Sequence, residues 1–310
     1  MIRLARNHDN TTIMNANRQS RYPIHGALGL AVILGAEALL FGGNQLVGHW
    51  FTPIVWTGYV LFIDALLYRL KGRSLLMNDR LEFLVIAIIS IGCWWLCEFY
   101  NAPRFWNSNL ELWWHYHNLE PNLFLRRAGY DWAFATIFPA LFETAELFNV
   151  SLFKNWEHST RVHLSKQTLT GMAIVGGLLA LWPLVFPSIW LAPVLWLSFI
   201  FFFDPLNYLR GWPSIAGDLA VGDWRRLWSL LASGLFCGVL WEFWNFWSLS
   251  KWTYTVPYLG NIKVFEMPVL GYLGFPPFAI ECWALYIFCR SLLTTTRPVR
   301  SSSIWIAPTA

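Results

Sequence analysis

Two nine-residue stretches put a carboxylate where a soluble protein has no use for one. Residues C-W-W-L-C-E-F-Y-N, Cys93 to Asn101, and C-G-V-L-W-E-F-W-N, Cys237 to Asn245, share the pattern C-x-x-L-x-E-F-x-N. Glu98 follows Trp94 and Trp95; Glu242 sits between Trp241 and Trp244. On a helix, Asn101 and Asn245 fall one turn beyond their glutamates and on the same face, a spacing that predicts an amide orienting each carboxyl. Removal from water favours the neutral form of a carboxyl. A neutral acid walled by indole rings is equipped to protonate an alkene or epoxide and to shelter the carbocation that results, because aromatic faces attract cations most strongly where water is excluded. The same equipment would hold a quaternary ammonium ion.

Other chemistry-bearing residues recur in the same duplicated way. W-x-Y occurs as Trp114 and Tyr116 and again as Trp252 and Tyr254; P-x-x-x-E ends in Glu143 and in Glu281. Asp64 and Tyr68, four apart and hence on one helix face, are matched by Asp204 and Tyr208. Together with Pro53, Trp56 and Ser74 against Pro193, Trp196 and Ser214, these signatures recur in one order at offsets of about 140, which reads as an internal duplication. Catalytic candidates are therefore Glu242, Glu98, Glu281, Glu143, Asn245 and Asn101. Substrate-binding candidates are Trp241, Trp244, Trp94, Trp95, Trp252, Tyr254, Trp114, Tyr116, Asp64, Asp204, Tyr68 and Tyr208.

The elements that carry these residues are expected to be membrane helices. Apolar residues make up 56% of the 310 and charged residues 13%, about half the charged share of a soluble domain. Eight apolar runs, about 27–48, 52–69, 83–102, 130–150, 169–188, 190–208, 227–248 and 270–290, have the length that a bilayer core demands. The expected fold is thus all-α and polytopic. A cytoplasmic segment over 1–26, without a signal peptide, precedes four-helix repeats over 27–160 and 167–292, and a cytoplasmic tail covers 293–310. Seventeen of the 22 basic residues fall in the termini and alternate loops, which places both termini in the cytoplasm of a cell whose inner membrane holds the chain. An even number of helices per repeat makes the two repeats parallel, related by an axis along the membrane normal.

Blander readings stand beside the chemical one. Intramembrane carboxylates can be interhelical glue, copied with the rest of a duplication; Asp64 and Asp204 suit helix capping. Many of the 21 tryptophans belong to an interfacial belt. The five cysteines read as small core hydrophobes without disulfide or zinc spacing. No Asp-rich magnesium motif, Walker sequence, G-x-S-x-G or H-E-x-x-H is present, so no metal is expected and no motif names a cofactor. His115 and His117 read as interfacial, and Glu37 stands alone in the first run. The net charge of +4 is that of a cytoplasmic charge belt and implies no nucleic-acid partner.

The stretch KWTYTVPYLGNIKVFEMPVLGYLGFPPFAIE, Lys251 to Glu281, resembles the end of the membrane lycopene cyclase domain, in which a W-x-Y segment leads through a glycine to a proline followed by paired glutamates. The resemblance covers about thirty residues. Trp252, Tyr254, Pro277 and Glu281 are the positions that correspond; here one glutamate stands where the family has two, and each half is expected to hold four helices where the family has about three. The resemblance implies two similar multi-helix halves and acid-initiated cyclisation of carotenoid ends. The leading expectation is accordingly an acid-type cyclase, isomerase or hydratase acting on a membrane lipid or lipid-like isoprenoid. The alternatives are a proton-coupled or cation transporter and a scaffold without chemistry.

Overall fold

The structure, a computed structural model, describes residues 22–102, 111–293 and 303–306. Most of the expected N-terminal segment and most of the expected tail lie outside the described residues. The chain forms α1 (Ile24–Phe41), α2 (Gln45–His49), α3 (Phe51–Lys71), α4 (Leu75–Asn78), α5 (Arg80–Asn101), β1 (Trp114–His117), α6 (Leu123–Val150), α7 (Lys166–Val185), α8 (Ala192–Leu209), α9 (Ile215–Val221), α10 (Arg225–Trp247), β2 (Lys251–Tyr254), the short strands β3 (Lys263–Val264) and β4 (Met267–Pro268), and α11 (Phe275–Leu292). Among the described residues, seven helical stretches are long and apolar enough to cross a membrane: Ile24–Phe41, Phe51–Lys71, Arg80–Asn101, Lys166–Val185, Ile189–Leu209, Arg225–Trp247 and Val269–Leu292.

The eighth expected run, 130–150, forms α6, whose apolar sequence is broken by Asp131, Glu143 and Glu146. Its environment explains the difference. Residues 137–146 of α6 are buried without interruption, as are residues 278–287 of α11. A helix buried on every side is a core element and needs no lipid-facing stripe. Helix α6 packs on α3, α5 and α10, while α11 packs on α8, α10 and α5. The two are the central posts of the bundle. Helices α1 and α7 lie outermost, each mainly against one partner, α3 and α8 respectively. Close approach there depends on glycine: a Cβ at Gly29 would lie 2.5 Å from the Gly58 carbonyl, and one at Gly176 would lie 2.5 Å from the Phe202 backbone nitrogen.

Local sequence sets the helix ends. Gly72, at φ 71°, closes α3 in the left-handed region that glycine enters without a Cβ penalty. Asn122 opens α6 by accepting from the amides of Phe124 and Leu125, and Ser214 opens α9 by accepting from Gly217 N at 3.1 Å. Helices α3, α6, α8 and α11 start at one end of the bundle, called the ribbon end because β1 and β2 lie there. Helices α1, α5, α7 and α10 start at the other.

At that other end a segment expected to be a peripheral tail is core. Ile304 and Trp305 are 1% and 2% exposed, and Ile306 is also buried. Trp283 Nε1 donates to Ile304 O at 2.7 Å, and Arg226 donates to Ser303 O at 3.0 Å. Ile304 N donates to Glu146 at 2.8 Å, Trp305 Nε1 to Asp79 at 3.2 Å, and Ile306 N to the Tyr286 hydroxyl at 3.0 Å. The segment fills a seat built by helices from both halves of the chain. The sequence shows only a short apolar island, S-I-W-I, beyond the last helix, and its docking depends on partners up to 226 residues away.

Candidate functional site: an aromatic cavity backed by two glutamates

Segments that carry W-x-Y in the two halves pair with each other. Strands β1 and β2 run antiparallel, with Trp114 opposite Tyr254 and Tyr116 opposite Trp252. The pairing is anchored from below by two asparagines. Asn101 Oδ1 accepts from Trp113 N at 2.9 Å and Trp114 N at 3.2 Å, while its Nδ2 donates to Trp114 O at 2.9 Å. Asn245 does the same for one residue, accepting from Trp252 N at 2.9 Å and donating to Trp252 O at 2.8 Å. The three-residue spacing predicts amides that orient Glu98 and Glu242. Both amides hold the ribbon, because the backbone groups of a two-stranded ribbon need partners that its short ladder does not supply, and Asn245 also faces Glu242.

The ribbon brings a tyrosine down to each glutamate. Tyr116 donates to Glu98 Oε1 at 2.5 Å and Tyr254 donates to Glu242 Oε1 at 2.6 Å. Both phenols are pushed well above their ordinary pKa, first by burial and then by the neighbouring carboxylate, so both remain neutral donors. Beyond this likeness the two glutamates differ. Glu98 Oε1 also accepts from Trp94 Nε1 at 3.0 Å and Trp114 Nε1 at 3.1 Å. Around Glu242, Trp252 Nε1 donates to the Tyr254 hydroxyl at 2.5 Å, and Oε2 of the fully buried side chain accepts no well-formed hydrogen bond among the described residues. Trp244, expected beside Glu242, gives its Nε1 to Glu37 at 3.0 Å, which supplies the partner that the lone glutamate of α1 lacks in sequence.

Between the tyrosines and α3, α5, α6, α10 and α11 lies a cavity of about 160 Å³. Its wall includes Trp56, Trp94, Trp114, Trp241, Trp252, Phe278 and the two tyrosines, and its rim carries His49, Glu120 and Arg126. Trp94 from the first half and Trp241 from the second stack at 5.9 Å with 27° between their planes. Below Trp56 of the wall, Tyr59 is buried against that ring and its hydroxyl is tied to Thr144 Oγ1 at 2.7 Å. Neither glutamate is itself on the wall; each stands one layer behind its tyrosine.

Several expected site residues lie elsewhere. Trp95 is turned from the cavity, its Nε1 on Asp131 at 2.7 Å and the Arg127 guanidinium 3.6 Å over its ring. Trp244 packs edge-on against Trp56, outside the cavity wall. Asp64 and Asp204 act at the opposite end of the bundle, where they accept from amides that open α4 and α9, and Tyr68 and Tyr208 share that end. Glu143 is buried against Asp64, and Glu281 is buried near Cys93 and Cys97; neither reaches the cavity. Sequence reading missed Trp56, Trp196 and Pro53 as wall residues, although all three belong to the duplicated P-x-x-W signature. His115 and His117 bond to Thr255 at 2.7 Å and Thr253 at 2.8 Å across the ribbon, and no cluster of metal-binding side chains occurs among the described residues. Comparison with protein-family models, with curated proteins and with solved structures finds no match to the chain.

Proposed function

We propose that the chain is an eight-span integral membrane protein of two tandem parallel four-helix repeats, and that it catalyses acid-initiated cyclisation, isomerisation or hydration of an isoprenoid or carotenoid-like lipid in the aromatic cavity. The observation that carries this reading is the pair of tyrosine–glutamate contacts at the wall of one cavity, closely alike in geometry and unlike in the further donors each glutamate receives. The repeat is supported by matching order in the halves: outer helix, second helix with an early proline, short helix capped by an aspartate, glutamate helix, W-x-Y strand, and fully buried helix. The positive-inside bias supports an inner-membrane location with both termini in the cytoplasm.

In this mechanism Glu242, held by one donor, carries the proton. The Tyr254 hydroxyl turns its proton from Glu242 to an alkene or epoxide as the neutral carboxyl turns its own proton toward the Tyr254 oxygen, so the phenol gives one proton and gains one, and a carbocation forms between the Trp94 and Trp241 faces. The Glu98 carboxylate, fixed by three donors, balances the new charge without reorganising. A neighbouring double bond or a water then attacks the cation. The surplus proton returns through Tyr254 to Glu242, so the acid is regenerated. A wall dominated by aromatic side chains suits an apolar lipid better than a polar solute. Lipid extracts from cells with and without the intact gene, compared by mass spectrometry, test the proposal; the expected result is a substrate–product pair that differs by isomerisation or one water. Unchanged lipids would count against any lipid-converting role.

A further inference from the structure

A second buried carboxyl cluster lies at the end of the bundle away from the ribbon, where the two aspartates of the duplicated signature part ways. Asp204 is complete as a cap: one oxygen accepts from Ile215 N at 2.7 Å and the other from Ala216 N at 3.0 Å. Asp64 uses one oxygen in this way, accepting from Leu76 N at 2.8 Å. Its other oxygen accepts from Ser74 Oγ at 2.9 Å and faces His25 Nε2, also at 2.9 Å. Asp64 is fully buried, whereas the His25 side chain is 20% exposed. Gly26 lets α1 lie close enough for that contact, since a Cβ there would collide with Ala65.

Behind Asp64 stands Glu143, fully buried on α6, with neither oxygen accepting a well-formed hydrogen bond among the described residues. Its neighbours are the Asp64 carboxylate and the Leu75 amide, with the Lys71 ammonium beyond. Lys71 is already engaged by Glu146, and Tyr59 on α3 faces Glu143, with Cys237 on α10 beyond Tyr59. Two carboxylates in contact inside a bundle cannot both stay charged, because like charge adds to an already large desolvation cost. One proton between them satisfies the unpartnered Glu143 and leaves Asp64 as acceptor.

We infer that His25, Asp64 and Glu143 form a proton-uptake station, in which Glu143 and Asp64 hold one proton between them and His25 exchanges it with the bathing solution. Each transfer is balanced: Glu143 gives its proton to Asp64, Asp64 Oδ1 gives it to the neutral Nε2 of His25, the ring releases a proton to water, and uptake runs the same steps in reverse. The station is separate from the aromatic cavity and independent of what the cavity binds. Infrared spectroscopy of the purified full chain in detergent tests it without a lipid substrate. The wild-type spectrum minus that of Glu143→Gln is expected to contain the C=O stretch of a neutral carboxyl, shifted down in D2O. His25→Ala is expected to keep that band while slowing its shift in D2O severalfold. Asp64→Asn is expected to move the band without abolishing it, which keeps the test open if Glu143→Gln fails to fold. A wild-type band that survives Glu143→Gln, ignores Asp64→Asn, or exchanges as fast in His25→Ala overturns the inference.

Discussion

Glu98 and Glu242 occupy corresponding places in the two halves, each one helical turn before an asparagine and each under a tyrosine of the same ribbon. Their surroundings differ, and the proposed mechanism gives them opposite work. Three donors converge on one oxygen of Glu98, and hydrogen bonds to the ionised form favour it, which is the basis for proposing Glu98 as the fixed charge. Glu242 has Tyr254 as its one well-formed donor and an oxygen with none, which is the basis for proposing it as the group that gains and loses a proton. The difference traces to two indoles. Trp94 reaches Glu98 where the matching position of the second half is Gly238, and Trp114 reaches Glu98 where the matching Trp252 bonds to the Tyr254 hydroxyl. One indole absent and one turned aside are enough to make two like settings unlike.

That contrast breaks most sharply in activity. Glu242→Gln keeps shape and the Tyr254 contact but cannot release a proton, so turnover of the lipid is expected to fall by about 10²–10⁴-fold while folded protein accumulates normally. Glu98→Gln still offers an acceptor oxygen to its three donors and is expected to lose less. Equal losses in a lipid-conversion assay would erase the distinction between them. If Glu242→Gln is fully active while Glu242→Leu lowers bundle stability by roughly a kcal/mol, the scale of a membrane interhelical hydrogen bond, the glutamate is structural.

The ribbon anchors give the next largest effect. Asn101→Ala orphans three backbone partners and Asn245→Ala two, at about 1–3 kcal/mol for each buried group left unpaired. Thermal melts in detergent should rank Asn101→Ala as the more damaging. Smaller again is the loss of an aspartate cap. Asp204→Ala is expected to cost about 1–2 kcal/mol, and Asp204→Asn to restore most of it, since an amide oxygen still accepts one of the two backbone bonds. Asp64→Asn should be restored less completely, because the asparagine amide also meets Glu143.

The smallest effect is a pH slope. Burial works against ionisation of Asp223, but the Arg225 side chain, paired with it at 2.8–2.9 Å, holds its carboxyl below the usual carboxylate range. The folded-state value is depressed, so the pairing contributes stability above the ordinary aspartate pKa that is lost as pH falls through the lowered one. Melting temperatures of Arg225→Met against wild type should converge toward the acid limit of that window; a constant gap would remove the linkage.

The membrane-like helices were legible because lipid imposes length and apolarity on each span separately. Helix α6 was harder to read: its environment is other helices, so its carboxylates report burial in protein and not exposure to lipid. Trp56 and Trp196 were visible as duplicated markers, yet nothing local distinguishes a wall tryptophan from one that braces a wall. Trp95 and Trp244 were misplaced for the same reason, as both flank a glutamate in sequence and turn to other partners in space. The asparagines were read through their nearest neighbour, one turn away, whereas their partners lie across a loop. Long-range hydrogen bonds of this kind, and the seating of Trp305 on Asp79, have no periodicity to betray them.

The seat filled by Ser303 to Ile306 has a consequence for the order of assembly. Its walls come from α6, α10 and α11 and from Asp79 between α4 and α5, while its occupant follows every described helix. During synthesis the helices are laid down one after another, and the piece that ties their ends together is made after all of those it joins. Before that segment is made, Glu146, Asp79 and the Tyr286 hydroxyl have Lys71, Arg73 and Glu82 as partners but not Ile304, Trp305 and Ile306, so the closing of that end waits on one tryptophan between two isoleucines.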